Sequence, residues 1–216
     1  MPDYPPRLRL WMLLLNLFPF AHTASLAALA WYGHAAAFAL ALYVAPPLLA
    51  RAVRLAVAIP QGRVPVASGA FLGWWATAQF QMLFNRFPLL EEALRLVPGL
   101  YSAWLRLWGS RIGRLTYWAP GTAVLDRSYL HLGDDVVFGA GVRLNGHVLV
   151  RNPGGQLELV LGTIRIGDAS TVGGYCLLTA GTEVAAGEST RACLLSPPFT
   201  LWKDGKRTRI GKEIHD

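Results

Sequence analysis

The chain has 216 residues, 53% of them hydrophobic and 15% charged, with a formal net charge of +7. That apolar share exceeds the usual balance of a soluble domain, and the two cysteines, Cys176 and Cys193, lack the spacing of a disulfide framework. The basic residues accompany no recognition module, which argues against nucleic acid as a partner.

The front of the chain is greasy. No charged side chain occurs from Leu10 to Trp31 or from His34 to Ala50, so residues 1–63 read as a transmembrane α-helical hairpin. The first apolar run passes directly into the second, unlike a cleavable signal peptide. Pro19 and the Pro46-Pro47 pair predict bends within the two runs. Arg7, Arg9, Arg51, Arg54 and Arg63 flank the spans, whereas the "WYGH" turn between them holds no Lys or Arg; both ends are therefore expected on the cytoplasmic side.

Residues 64–109 read as re-entrant or interfacial helices. Val64 to Asn85 is free of charge, but Gly69, Gly73, Trp74, Trp75, Gln79 and Gln81 make it more polar than the first two runs. "FPLLEEALRLVPGLYSAWLRLWG" sets Glu91, Glu92, Arg95 and Arg106 among Leu and Trp at helical spacing. It predicts an amphipathic helix broken near Pro98-Gly99.

From Ile112 the period becomes six. Ile112, Trp118 and Val124 form one set; Leu132, Phe138 and Leu144 a second; Val160, Ile166, Val172, Leu178 and Val184 a third. A small residue follows in most hexads, as at Gly113, Gly133, Gly139, Gly167 and Gly173. An α-helix has no such period, and an alternating strand does not need the small residue. Three short strands per turn of about 18 residues satisfy both, with the apolar residue inside a prism and the small one easing the corner. Residues 110–200 are thus expected to stack about four coils, followed by a basic C-terminal tail, 201–216.

"RIGRLTYWAPGTAV", "LGDDVVFGAGVRLNGH" and "IRIGDASTVGGYCLLTAGTEV" resemble the hexapeptide-repeat acyltransferases, a superfamily that includes serine, galactoside and lipid A acyltransferases. The lead-in "WLRLWGSRIG" and the greasy helices before it resemble more closely two groups of this kind: the membrane-embedded terminal domain of poly-lysine-synthetase-type peptide synthetases, and colanic acid and capsule acetyltransferases. The resemblance implies an all-β left-handed parallel β-helix behind the membrane hairpin, a homotrimer, and a bacterial inner-membrane location with the β-helix in the cytoplasm.

It also implies a reaction. The family's general base is a histidine beside the donor groove, which places that role on His147 in "LNGHVL", where the period fails through "VRNPGGQLE". A neutral imidazole suits the task, since its ordinary pKa lies near 6.5. His131 is a rival that looks more like a linker residue, and a surface corner histidine is the bland alternative. Relatives often carry a carboxylate soon after the histidine; here Val148, Leu149 and Val150 follow, so Asn145 or Glu158 is the expected orienter. The implied donor is acyl-CoA or an acyl carrier protein thioester, with Gly173, Gly174, Ala180 and Gly181 along its groove and Lys203, Lys206 and Arg207 toward its phosphates. The bilayer and an amphiphilic or hydrophobic acceptor complete the expected partners.

Other readings have less behind them. Cys176 falls at a small inward place, poor for a nucleophile. The γ-type carbonic anhydrases share the fold but need three histidines for zinc, and this region holds only His131 and His147; no metal is expected. The remaining alternative is a non-catalytic, membrane-anchored β-helix that scaffolds a larger biosynthetic assembly.

Overall fold

Apolar side chains six residues apart close the back half of the chain into three-sided coils, because each short strand buries one of them before the chain turns. The computed structural model describes residues 6–210. Four helices come first: α1 (Pro6–Asn16), α2 (Phe18–Trp31), α3 (Ala35–Tyr43) and α4 (Ala45–Ala56). The breaks at Leu17 and Val44 fall just ahead of Pro19 and Pro46, as the proline positions predict. Strand β1 (Gly62–Pro65) comes next, then α5 (Gly69–Phe80), α6 (Met82–Arg86), α7 (Leu89–Arg95) and α8 (Leu100–Leu107), with Gly99 at a φ of 79° separating the last two.

The coils begin with β2 (Arg111–Ile112), β3 (Tyr117–Trp118) and β4 (Ala123–Val124). The second coil is β5 (Leu130–Leu132), β6 (Val137–Phe138) and β7 (Arg143–Leu144), after which a hairpin of β8 (His147–Arg151) and β9 (Leu157–Leu161) leaves the prism. The third is β10 (Ile164–Ile166), β11 (Thr171–Val172) and β12 (Leu177–Leu178); the fourth holds β13 (Glu183–Val184), a bridge at Ser189, and β14 (Leu195–Ser196). A fifth opens with β15 (Thr200–Lys203), and β16 (Lys206–Arg209) folds back on it antiparallel. Three parallel sheets result, one per face, ordered β2-β5-β10-β13-β15 with β16 outside, β3-β6-β11, and β4-β7-β12-β14.

Along the first face the inward residues Ile112, Leu132, Ile166, Val184 and Trp202 stand 20, 34, 18 and 18 residues apart. Three hexads make 18, so only the first two coils carry extra chain. Both excursions leave from the same corner, one after β4 and one after β7, and so lie against each other. Corner turning falls to residues three places past the inward one: Leu115, Asp135, Ala169, Tyr175 and Phe199 have φ between 52° and 58°. The small residue directly after the apolar one has a different task from the expected one. A Cβ at Gly139 would stand 2.5 Å from the Gly174 nitrogen of the next coil, so its hydrogen permits close stacking.

Several expectations change. Val160 lies in the hairpin rather than in a coil, and Val64–Pro65 pair with Leu159–Glu158 as a strand instead of opening an interfacial segment. Helix α5 is buried at Phe71, Trp74, Ala76 and Phe80, packed on α1, α2 and α4 and on the hairpin's Leu159 and Leu161; it is a core helix, not a surface-lying one. Thr200–Arg209 is an ordered hairpin that covers the last strand's edge, where a tail was expected. Lys212 lies outside the described residues.

The lower end of the prism rests on α8. Trp118 Nε1 donates to Ser102 Oγ at 3.0 Å, and Arg106 donates to the carbonyls of Ile112 and Gly113, each at 2.9 Å. Arg127, on the first excursion, is 1% exposed. Its Nε donates to Glu91 Oε1 at 2.5 Å, its Nη1 to Asn85 Oδ1 at 2.9 Å, and its backbone N–H to Gln81 Oε1 at 2.7 Å. The rings of Phe84, Trp104 and Trp108 surround the guanidinium. Arg127→Ala leaves Glu91 Oε1 without a partner, while Oε2 keeps Arg95 at 3.2 Å and the Tyr101 hydroxyl at 2.8 Å; the change is expected to cost about 2–3 kcal/mol in denaturant unfolding followed by tryptophan fluorescence.

Candidate active site

The two excursions from one corner bring His147 and Asp126 together across 21 residues of sequence. His147 opens β8, its ring half-buried, and its Nδ1 lies 2.6 Å from Oδ2 of Asp126, whose side chain is 2% exposed. The indole N–H of Trp74, from α5, donates to the other carboxylate oxygen at 3.2 Å, and its ring meets the imidazole edge-on with centroids 4.7 Å apart. With Nδ1–H donating to Asp126, the tautomer is fixed and Nε2 keeps its lone pair.

The local chain makes this possible. A Cβ at Gly146 would stand 3.0 Å from the Asp126 Cβ and 3.1 Å from the Tyr129 Cβ, so a side chain there would press the second excursion away from the first. Burial of the His147 ring disfavours its charged form, but the Asp126 charge and hydrogen bond together outweigh burial. The imidazole pKa therefore lies above its ordinary value.

Neither expected orienter does this work. Glu158 pairs with Val150 across the hairpin and is held by Asn152 Nδ2 at 3.0 Å and Arg63 Nη1 at 3.0 Å, which keep its carboxyl below the usual carboxylate range. Asn145 holds its Oδ1 buried without a hydrogen-bond partner. Asp126 was missed, although the spacing marks its place: Val124 to Leu132 is eight residues where the period allows six, and Asp126 falls in the gap. His131 faces outward from β5 on another side of the prism.

The groove residues also differ from expectation. Ala180 is fully buried, and Cβ positions on Gly173 and Gly181 would strike Arg191–Ala192 and the Phe199 ring of the next coil; Gly174 abuts the Ala140 carbonyl. These four serve coil stacking rather than an open groove. A concavity does exist nearby. A cavity of about 340 Å³ is walled by Val150, Val160, Arg63, Arg151, Arg207 and Arg209, joining the hairpin to the terminal strands. Val150 is three residues along β8 from His147, about 10 Å away and on the opposite face of the strand: His147 shares its face with Leu161 and Trp74, Val150 with Val160. Of the three expected phosphate contacts Arg207 lies on this wall, whereas Lys203 and Lys206 pair with each other, exposed, at the β15–β16 turn. Cys176 is buried and its thiol donates to the Arg191 carbonyl at 3.1 Å.

No family model matches the chain, and no curated protein does. Among solved structures it is similar to hexapeptide-repeat acetyltransferases. One, from Vibrio cholerae and complexed with acetyl-coenzyme A, is 17% identical with a TM-score of 0.41, over 62% of this chain and 88% of that one. A galactoside acetyltransferase in complex with coenzyme A is 14% identical with a TM-score of 0.37, over 56% and 80%. A maltose O-acetyltransferase from Clostridium difficile 630 is 12% identical with a TM-score of 0.27, over 59% and 86%.

The dyad has a titration signature. In an imidazole NMR titration His147 is expected to lose its proton above pH 6.5, and in Asp126→Asn below it, because burial then acts alone. Since the folded pKa is raised, the stability added by the charged form of this contact is complete below pH 6.5 and is lost as pH climbs through the folded value; the gap in denaturant midpoint between wild type and Asp126→Asn should narrow over that window.

Proposed function

We propose that the protein is a membrane-bound acyltransferase that moves an acyl group from acyl-CoA or an acyl carrier protein to a hydroxyl or amine of an amphiphilic acceptor, with His147 as general base. The observation that carries this reading is the Asp126–His147 contact. A carboxylate on Nδ1 leaves Nε2 as the single basic site of the ring, and charge on the imidazolium that forms during proton removal is met by Asp126. Nε2 accepts the acceptor's proton, its oxygen or nitrogen attacks the thioester carbonyl, and the thiolate leaves, taking up the proton held by His147. No enzyme-bound acyl intermediate is needed.

The arginine-walled cavity suits the phosphates of the donor. Guanidinium forks match phosphate oxygens, and Arg151 from the hairpin and Arg207 from β16 both line it; a flexible arm held there has to pass the edge of the hairpin to end at His147.

The membrane part of the proposal rests on the helices. Pro6–Trp31 and Ala35–Ala56 run 26 and 22 residues, about 39 and 33 Å, and their most apolar windows are only 11% and 22% buried, too little for core helices of this molecule. Arg54, near the end of α4, donates to the Ser128 carbonyl, so the hairpin's basic end is the one against the β-helix. That is the arrangement expected for a cytoplasmic β-helix on a bacterial inner membrane. A homotrimer with donor sites between subunits belongs to the same proposal.

With acetyl-CoA or palmitoyl-CoA as donor and octyl glucoside as hydroxyl acceptor, thiol release by the detergent-purified protein is expected to fall about 10²–10⁴-fold in His147→Ala. Undiminished turnover in that variant, with its melting temperature retained, overturns the proposal. Arg207→Gln is expected to raise the donor KM about tenfold with kcat preserved, a split that a folding defect would not produce.

A further inference from the structure

The first face of the prism carries a feature the transferase reading does not use. At its outward positions, Arg111, His131 and Arg165 sit in parallel register on three successive coils, one strand spacing of about 4.8 Å apart. Like charges opposed in this way repel each other, and here they are only partly compensated: Arg165 reaches Glu183 at 3.4 Å, while Arg111 and His131 pair with no carboxylate among the described residues. A fourth cation joins them from another element. Arg54 extends from α4 past Gly109 to the Ser128 carbonyl at 3.1 Å, its guanidinium over the Tyr129 ring. Together these side chains wall a cavity of about 480 Å³ that also admits Thr163.

We infer that this cavity is a second anion site, which takes a phosphate group between Arg54, Arg111, His131 and Arg165. Three guanidinium groups and an imidazole offer donors from two sides, and the ladder spacing lets one tetrahedral anion bridge neighbouring rungs. The site is separate from the arginine-walled cavity beside β8. The two share no residue, and this one is walled by the first face and by the basic end of α4 rather than by the hairpin.

Its position selects between two sources of phosphate. The end of α4 that supplies Arg54 also carries Arg51, whose Cγ approaches Gly109, and Leu55, which is 88% exposed, so cations and bare apolar surface adjoin on that stretch of helix. That pairing fits the phosphate of an anionic lipid lying against the hairpin, a source that rests on the membrane reading above. A soluble phosphate ester would use the same donors.

His131 reports on the site directly. Burial together with Arg165 and Arg111 on the flanking coils holds its pKa below the ordinary value, and a bound phosphate would reverse the electrostatic part. Full-length protein in a zwitterionic detergent, with His131 assigned by His131→Gln, would be titrated with inorganic phosphate, glycerol 3-phosphate and dihexanoyl phosphatidic acid while the imidazole signals are followed by NMR. A saturable His131 shift with all three, weakened at least tenfold in Arg111→Gln and unchanged in Arg191→Gln, supports the site with a soluble ester as sufficient ligand. The same dependence seen only with the phosphatidic acid supports it with lipid as the source. No saturable shift with any of them, or equal affinity in Arg111→Gln, overturns it. Arg111 is exposed, so its substitution is not expected to move the melting temperature, which would be checked alongside. The readout involves neither thioester nor His147, so its failure leaves the transferase proposal standing, and failure of the transferase leaves this site to be judged by its own titration.

Discussion

The contact on which the molecule turns is the buried Arg127 guanidinium held by Glu91. A buried pair contributes little net stability against its desolvation, and Arg95 and Tyr101 also hold the Glu91 carboxylate, so the Arg127 contact acts chiefly as a specifier of which surfaces meet. Here it fixes the first excursion of the prism to α6, α7 and α8, with Gln81 and Asn85 meeting further donors of the same residue. Asp126 is the next residue back along that excursion. The orientation of the carboxylate at His147 therefore depends on a lock whose other half lies in the helical layer.

The same helical layer supplies the second constraint on the site. Trp74 reaches Asp126 only because α5 is wedged between the greasy helices and the β8–β9 hairpin, with β1 adding a third strand to that hairpin. Helices and prism are thus interdependent. A prism cut free of residues 6–109 would lose the indole that holds one carboxylate oxygen and the aromatic cage that holds Arg127, while the helices alone would expose Phe84, Trp104 and Trp108.

Charge is distributed with equal consequence. The regular coils place arginines outward at whichever rung the register dictates, and in the ladder of Arg111, His131 and Arg165 a carboxylate among the described residues answers only the last, which leaves a concentrated positive face. The hairpin excursion and terminal strands gather a separate set, with Arg63 and Glu158 paired at its rim. One fold presents two cationic concavities on different sides, one between the hairpin and the terminal strands and one beside the hydrophobic helices.

What the residue order determined by itself was periodic. A hexad of one apolar and one small residue has a single comfortable solution, because neighbouring coils approach closely enough at Gly139 to exclude a Cβ, and that fixed the three-faced stack from Ile112 onward. Proline positions likewise set the breaks in the front helices, and the failure of the period after Leu144 marked the hairpin beside His147. Only the tertiary structure decided what the departures from period do. The orienter of His147 lay 21 residues earlier rather than a few later, because excursions from one corner of successive coils are neighbours in space however far apart in sequence. Helix α5, charge-free like a membrane segment, became core for a related reason: its aromatic face had a hairpin and Tyr129 to pack against, and composition alone carries no record of which partner a buried surface will find.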